Sequence, residues 1–386
     1  MIVEAKVREF ICTTAHPIGC RENVRRQIAY IKEKVQFHGK KKVLVIGAST
    51  GYGLASRITM AFGAGAATLG VMFEKEAAKK RTATPGWYNT KALEEFAKEE
   101  GLYAESLNGD AFSEEVKERV IEKIQKELGY VDLVIYSLAA PRRTTEEGIT
   151  YHSVLKTCDK AFTEKSWNLR SNQISEATIA AASQEEIEST IKVMGGEDWY
   201  RWIQVLDRAG VLAKDAVTVA YSYIGPELTY PVYYHGTIGM AKKNLEEFAG
   251  RLNQEYGRNG LKAYISVNKA LVTQASSAIP IVPLYFAILY KVMKQAGTHE
   301  GCIEQMGRLF GEKLFGGNCP VDSEGRIRMD DYEMEAAVQQ KVMEIWNQVT
   351  TENLLEFADV EGYWEDFYHM FGFRFENVDY TADVEI

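Results

Sequence analysis

Residues 42–46, Lys-Val-Leu-Val-Ile, run straight into Gly47-Ala-Ser-Thr-Gly51-Tyr-Gly53-Leu-Ala-Ser-Arg57, so three glycines spaced G-x-x-x-G-x-G separate an apolar β-type run from a helical pattern. Glycine is needed at such a point because the backbone must turn sharply and let a pyrophosphate approach its N–H groups. The positive end of the following helix favours the same negative charge. The loop is therefore expected to cradle a dinucleotide; the plainer alternative is a glycine-rich strand-to-helix turn.

The rest of the chain repeats the strand-then-helix rhythm. Short apolar runs, most of them carrying Val or Ile, at 42–46, 67–73, 103–107, 131–137, 217–221 and 263–267 alternate with helical stretches such as 91–99 and 114–128, the latter opened by Ser113 as N-cap with two glutamates in its first turn. This predicts an α/β fold with a doubly wound parallel sheet, expected to form one large unit over 1–386. Its dinucleotide-binding core is expected at 40–140 and 216–275. The polar, Ser- and Thr-rich stretch 141–215, ending in an aromatic helix near Trp199 to Leu206, is too long for a simple crossover and reads as an insertion covering the site. Residues 276–386 read as a substrate-pocket and helical region, with 333–348 as its clearest amphipathic helix.

Composition limits the partners. Apolar residues make up 46% of the 386 positions, charged residues 26%, and proline only 8 residues, so the chain folds as an ordinary globular protein. A formal charge of 45 − 54 = −9 repels phosphate backbones and anionic lipid heads, so neither nucleic acid nor membrane is an expected partner. Cys12, Cys20, Cys158, Cys302 and Cys319 form no C-x-x-C pair, and the N-terminus is too charged for a secretory signal; a reducing, cytoplasmic setting is expected. The six histidines show no metal-ligand spacing, so no metal is expected. The apolar stretch 278–290 falls short of the roughly 20 residues that span a bilayer; part of it, 279–289, reads equally as a ligand-pocket wall or as a core helix behind a kinked loop. Arg142 and Arg143 follow the fourth strand, where they would meet a phosphorylated ligand, although a solvated basic pair is the simpler reading.

The second strand ends in Phe73-Glu74, and Glu74 lies 21 residues past Gly53, where dinucleotide folds set an acid against the ribose hydroxyls. A carboxylate there accepts from a 2′-hydroxyl and repels a 2′-phosphate, which favours NADH over NADPH, with Lys75, Lys79, Lys80 and Arg81 nearby as a counterweight. Asp110-Ala111 and Leu138-Ala139 close the third and fourth strands at the same edge. After the fifth strand comes Tyr230-Pro-Val-Tyr233-Tyr234-His235-Gly236-Thr237, then Lys242-Lys243. A phenol beside an ammonium suits a reductase that must stabilise charge on a substrate oxygen. The pair Tyr233 and Lys242, nine residues apart, would sit on opposite faces of an unbroken helix, so they converge only if the helix starts after Tyr233, and Gly236-Thr237 supplies the N-cap. By pattern alone Tyr234 with Lys243 is an equal choice. The residues admit a generic NAD-dependent short-chain carbonyl reductase or a non-catalytic dinucleotide sensor.

Several blocks in order resemble one family. Residues 47–57, Thr84-Pro-Gly-Trp-Tyr-Asn89, Tyr136-Ser-Leu-Ala-Ala-Pro141, Lys192-Val-Met-Gly-Gly-Glu-Asp-Trp199, Ala220-Tyr-Ser-Tyr-Ile-Gly225 and Val267-Asn-Lys-Ala-Leu-Val-Thr273 are similar to the trans-2-enoyl-CoA reductase and FabV enoyl-ACP reductase family of the short-chain dehydrogenase superfamily. The resemblance begins at His16-Pro-Ile-Gly-Cys20 and runs nearly to the C-terminus. It implies NADH-dependent reduction of the 2,3 double bond of an enoyl-CoA or enoyl-ACP thioester. It implies Tyr233 and Lys242 as the catalytic pair and Tyr223 as a substrate contact. Cofactor contacts fall on Gly47, Ala48, Ser49, Thr50, Gly51, Tyr52, Phe73, Glu74, Asp110, Ala111, Leu138, Ala139, Lys242, Leu271, Val272 and Thr273. The covering insertion fits a monomer.

Overall fold

The computed structural model describes residues 1–8, 11–276, 279 and 281–386. Seven strands form one parallel sheet: β1 (Lys42–Ile46), β2 (Ala67–Met72), β3 (Ala104–Asn108), β4 (Val131–Tyr136), β5 (Leu212–Ser222), β6 (Lys262–Val267) and β7 (Arg326–Arg328). Their order is β7-β6-β5-β4-β1-β2-β3. The chain moves outward from β1 to β3 and returns to β4 beside β1, so the order reverses between β1 and β4, where ligands of such sheets bind. The expected fold class is borne out.

The strand residues explain the layering. Along β1, Val43 and Val45 point into one apolar layer and Leu44 and Ile46 into the other, all fully buried, as a strand covered on both faces requires. The first layer contains α1 (Pro17–Lys34), α2 (Gly51–Ile58), α3 (Pro85–Glu99) and α9 (Cys302–Arg308). The second contains α4 (Glu114–Lys123), α6 (Glu197–Arg208) and α7 (Thr237–Tyr256). Ser113 caps α4 by accepting from the Val116 amide at 3.2 Å, and the helix continues as a wider π turn to Leu128. Helix α3 begins at Pro85, six residues before the expected start, because proline suits a first helical position.

Between β4 and β5 the chain makes two antiparallel ribbons, Arg142–Thr144 with Thr150–His152 and Phe162–Asn168 with Gln173–Ile179, then α5 (Gln184–Met194) and α6. Trp199 and Trp202 of α6 are fully buried against the sheet, so this aromatic helix is part of the sheet's own cover. Arg143 is not solvated. It is nearly buried, donates to the Lys192 carbonyl at 3.0 Å and pairs with Glu197 at 3.1 Å, which fastens the first ribbon to α5 and α6.

A third apolar layer surrounds α8 (Val282–Ala296), with α10 (Ala336–Gln348), α11 (Leu354–Phe357) and α12 (Val360–His369) around it. The second ribbon closes this layer through Trp167, whose ring meets that of Tyr363 edge-on at 5.1 Å. Every residue of α8 from Val282 to Tyr290 is buried, Ile288 included; Ala278 and Pro280 of the same apolar stretch lie outside the described residues. Helix α10 starts at Ala336 and not at Glu333, since Glu333 turns inward before it. No helix among the described residues is long and apolar enough to cross a membrane.

Candidate active site

The glycine loop lies at the β1/β4 reversal. Gly47 has φ +84°, and a Cβ there would stand 2.6 Å from the Ser137 carbonyl oxygen at the end of β4. The Gly47 and Ala48 amides both donate to the Val71 carbonyl at 3.0 Å, which pins the loop to β2. A Cβ on Gly53 would stand 1.9 Å from the Gly47 carbonyl oxygen, so only glycine lets α2 start this close to the strand. Thr50 precedes α2 without a side-chain cap. The first-turn amides of α2 are thus left to an outside acceptor, and the cradle fits a dinucleotide pyrophosphate.

The remaining cofactor candidates follow β2, β3, β4 and β6, at the same edge of the parallel sheet as this loop. Glu74 follows β2; its carboxylate accepts from Ser49 Oγ at 2.6 Å, and Asn108 clamps its backbone by donating to the carbonyl at 2.9 Å and accepting from the amide at 2.8 Å. A Cβ on Gly86 would meet that carboxylate at 2.1 Å, so Gly86 clears room for it at the start of α3. Phe73 beside it is 75% exposed. Asp110 folds its carboxylate onto the Phe112 amide at 3.0 Å, Ala111 is buried, Leu138 is partly exposed and Ala139 is exposed. On the far side, Thr273 Cγ2 lies 4.0 Å from the Cβ position of Gly51. Its loop is held by Ser276 Oγ, which donates to the Leu271 carbonyl at 2.6 Å, and by Tyr290, whose hydroxyl accepts from the Val272 amide at 3.0 Å. Tyr52 donates to the Lys269 carbonyl at 2.9 Å and so ties α2 to this same loop.

The tyrosine pair is built by the chain between β5 and α7. Helix α7 starts at Thr237 with Gly236 as N-cap, and Tyr233 stands in the turn before it, where its carbonyl accepts from the Gly239 amide at 2.9 Å. The Tyr233 ring meets the Tyr223 ring edge-on, centroids 4.8 Å apart. Tyr234 faces elsewhere: it packs on Tyr230 and His235, and Lys243 Nζ lies 4.8 Å above its ring. His235 is exposed and touches Tyr234, not Tyr233.

Lys242 reaches from the second turn of α7 to the end of β5 and donates to the Tyr221 carbonyl at 2.8 Å. Burial lowers its ammonium to about 8. Burial raises the Tyr233 phenol above its ordinary range. Tyr233 is a neutral donor at neutral pH.

Behind the two tyrosines is a polar cluster that pattern reading missed. Glu333 is fully buried; Oε1 accepts from Tyr223 at 3.0 Å and Tyr285 at 2.6 Å, and Oε2 accepts from the Ala270 amide at 2.7 Å. Lys269, buried beside it, is lowered to about 8 by desolvation. In the sequence Glu333 is one of several acids opening a helix, a pattern that ordinarily marks a solvated start. Among the described residues no three His, Cys, Asp or Glu side chains gather to hold a metal ion.

Residues 81–315 match a family model described as the trans-2-enoyl-CoA reductase catalytic region, and residues 2–79 match the NAD(P)H binding domain of trans-2-enoyl-CoA reductase. Residues 321–384 match a model described as an enoyl reductase FAD binding domain. That segment does not fit a flavin. Its helices bury their apolar faces on α8, and the Cβ positions of Gly362 and Gly372 are filled by the protein's own atoms, at 2.3 Å by Asp359 and at 2.5 Å by the His16 carbonyl. Among relatives, the chain is 54% identical to a trans-2-enoyl-CoA reductase [NADH] of Ruminiclostridium cellulolyticum, covering 100% of this chain and 98% of that one. It is 56% identical to an enoyl-[acyl-carrier-protein] reductase [NADH] of Flavobacterium psychrophilum, with the same coverage. The crystal structure of Treponema denticola trans-2-enoyl-CoA reductase in complex with NAD superposes with a TM-score of 0.96 at 50% identity, over 100% of this chain and 98% of that one. The chain belongs to the trans-2-enoyl-CoA reductase family.

Proposed function

We propose that this protein reduces the 2,3 double bond of trans-2-enoyl thioesters with NADH, giving the saturated acyl thioester. The observation that carries the reading is the neutral, half-buried Tyr233 packed edge-on against Tyr223 beside a glycine cradle at the sheet's reversal point. Bound NADH supplies the hydride that adds at C3 of the thioester.

The chain's residues do the rest. Negative charge collects on the thioester oxygen as an enolate, Tyr233 donates a hydrogen bond to that oxygen, and a proton taken up at C2 from Tyr233 or water completes the saturated thioester; in a dry site one such donor contributes on the order of 3 kcal/mol. Gly47 to Tyr52, with the α2 amides, hold the pyrophosphate. Glu74, fixed by Ser49 and Asn108, accepts from the adenosine ribose hydroxyls and disfavours a 2′-phosphate. Phe73, Asp110, Ala111, Leu138 and Ala139 line the nucleotide edge, and Leu271, Val272 and Thr273 close over the nicotinamide end. Lys242 holds the nicotinamide ribose from the floor that Tyr221 provides. Two relatives, named for CoA and for acyl-carrier-protein substrates, resemble this chain almost equally, which supports thioester recognition through the acyl part. We also propose a cytoplasmic monomer, supported by five free cysteines and by the second ribbon, which covers the α8 layer.

Transfer from deuterated NADH to crotonyl-CoA tests the chemistry. Deuterium at C3 of butyryl-CoA is the expected product. Reaction only with a 3-ketoacyl thioester, with deuterium on the carbinol carbon, would instead make the protein a carbonyl reductase.

A further inference from the structure

The acid behind the tyrosines touches three walls of the site at once. Through Oε1 it receives Tyr223 from the end of β5 and Tyr285 from α8; through Oε2 it receives the Ala270 amide at the head of the 271–273 loop. Gln339 completes the cluster by donating to the Tyr285 hydroxyl at 3.2 Å and to the Glu333 carbonyl at 2.7 Å. Burial pushes the Glu333 carboxyl up, and the Lys269 ammonium pulls it down. A charged residue with no exposed surface is retained only where its partners are fixed.

We infer that Glu333 is a positioning residue for the reduction: by accepting the hydroxyls of Tyr223 and Tyr285 on one oxygen and the Ala270 amide on the other, it fixes how Tyr223 meets Tyr233 and the thioester. The inference rests on the reading that these two tyrosines face the thioester oxygen. A phenol has one hydrogen to donate. Tyr223 gives its hydrogen to Glu333, so it presents only lone pairs and its ring to the pocket, and Tyr233 alone donates to the forming enolate. The C-terminal segment thereby acts on the chemistry through Tyr223.

Glu333→Gln isolates the tyrosine side. The amide oxygen still accepts from the Ala270 N–H, which turns the NH2 group toward Tyr223 and Tyr285 and leaves both hydroxyl hydrogens without their acceptor. The expected result is a fall in kcat with crotonyl-CoA of about tenfold, with NADH affinity within about twofold of wild type. In a Tyr223→Phe background the same change should alter kcat less than about twofold, because its route is already cut. A kcat that is not lowered, or that is lowered equally in both backgrounds, overturns the inference. If the wild type consumes no NADH with any enoyl thioester, the proposed function itself fails, which is a separate outcome. Should Glu333→Gln not fold, Tyr285→Phe removes the competing donor from the same oxygen. The Tyr223 resonance in protein carrying tyrosine labelled with 13C at Cζ should then shift, and an unmoved resonance overturns the inference.

Discussion

Gly53→Ala is the sharpest perturbation of the dinucleotide cradle. The added Cβ would stand 1.9 Å from the Gly47 carbonyl oxygen and 3.0 Å from its carbonyl carbon. Reaching even 3.0 Å from that oxygen requires a shift of about 1.1 Å, and Gly47 cannot supply it. Its own amide and that of Ala48 are bonded to Val71, and its Cα faces the Ser137 carbonyl. Helix α2 must therefore move away from the strand and carry its first-turn amides with it. Overpacking of this kind costs about 1–3 kcal/mol, and hydrogen bonds to a charged pyrophosphate contribute roughly 1.5–3 kcal/mol each. Losing one of them weakens NADH binding by roughly ten- to a hundredfold. Gly65→Ala is the control, because it precedes β2 at the opposite edge of the sheet, nothing lies within 4 Å of its Cβ position and its φ is +62°. Left-handed strain of about 1–2 kcal/mol then burdens free and bound protein alike. Thermal unfolding should show both variants destabilised, while fluorescence titration with NADH should show a large affinity loss for Gly53→Ala only. Affinity within about threefold of wild type in Gly53→Ala would refute the argument that this contact sets the cradle.

Three further outcomes follow from the site. Glu74→Ser should lower the ratio of kcat/KM for NADH over NADPH by about tenfold or more, the worth of one charge-assisted hydrogen bond; an unchanged ratio would remove Glu74 from cofactor choice. Lys242 holds the ribose as an ammonium, and burial lowers it to about 8, so kcat/KM for NADH should fall as pH rises through 8, where the free enzyme loses that proton. Lys242→Arg, which stays charged, should push the falling limb upward; a limb that stays in place would assign it to another group. Lys242→Met should impair NADH binding and turnover together, and a variant normal in both would have no role in the site.

Six of the seven strands were legible: β1, β4 and the second half of β5 are Val- and Ile-rich and buried on both faces, as Leu44 and Val45 are, whereas β3 buries only Ala104 and was marked by the strand-then-helix rhythm. The seventh, Arg326-Ile-Arg328, was not: it is three residues long, sits at the sheet edge and buries only Ile327. Strand β5 begins five residues before its expected start because its first residues, Leu212 to Asp215, are not buried and carry no apolar pattern. The glycine loop was readable since each glycine answers a local backbone demand. Tyr233 was readable as standing before α7 because Gly236-Thr237 marks the helix start, whereas its edge-on contact with Tyr223 depends on how the 223–236 segment folds back. Glu333 was hidden because its partners lie far away in the chain: Tyr223 is 110 residues earlier and Ala270 is 63. Nothing local distinguishes an acid that folds inward from one that opens a solvated helix.

The most direct measurement is NADH consumption with crotonyl-CoA by the wild-type protein and by Tyr233→Phe, with NADH affinity determined for both. Rapid consumption by the wild type that drops by about a hundredfold in the variant, at nearly unchanged affinity, is the result predicted for a phenol that stabilises the enolate. Equal turnover by the two proteins would contradict it and leave the thioester oxygen to another donor.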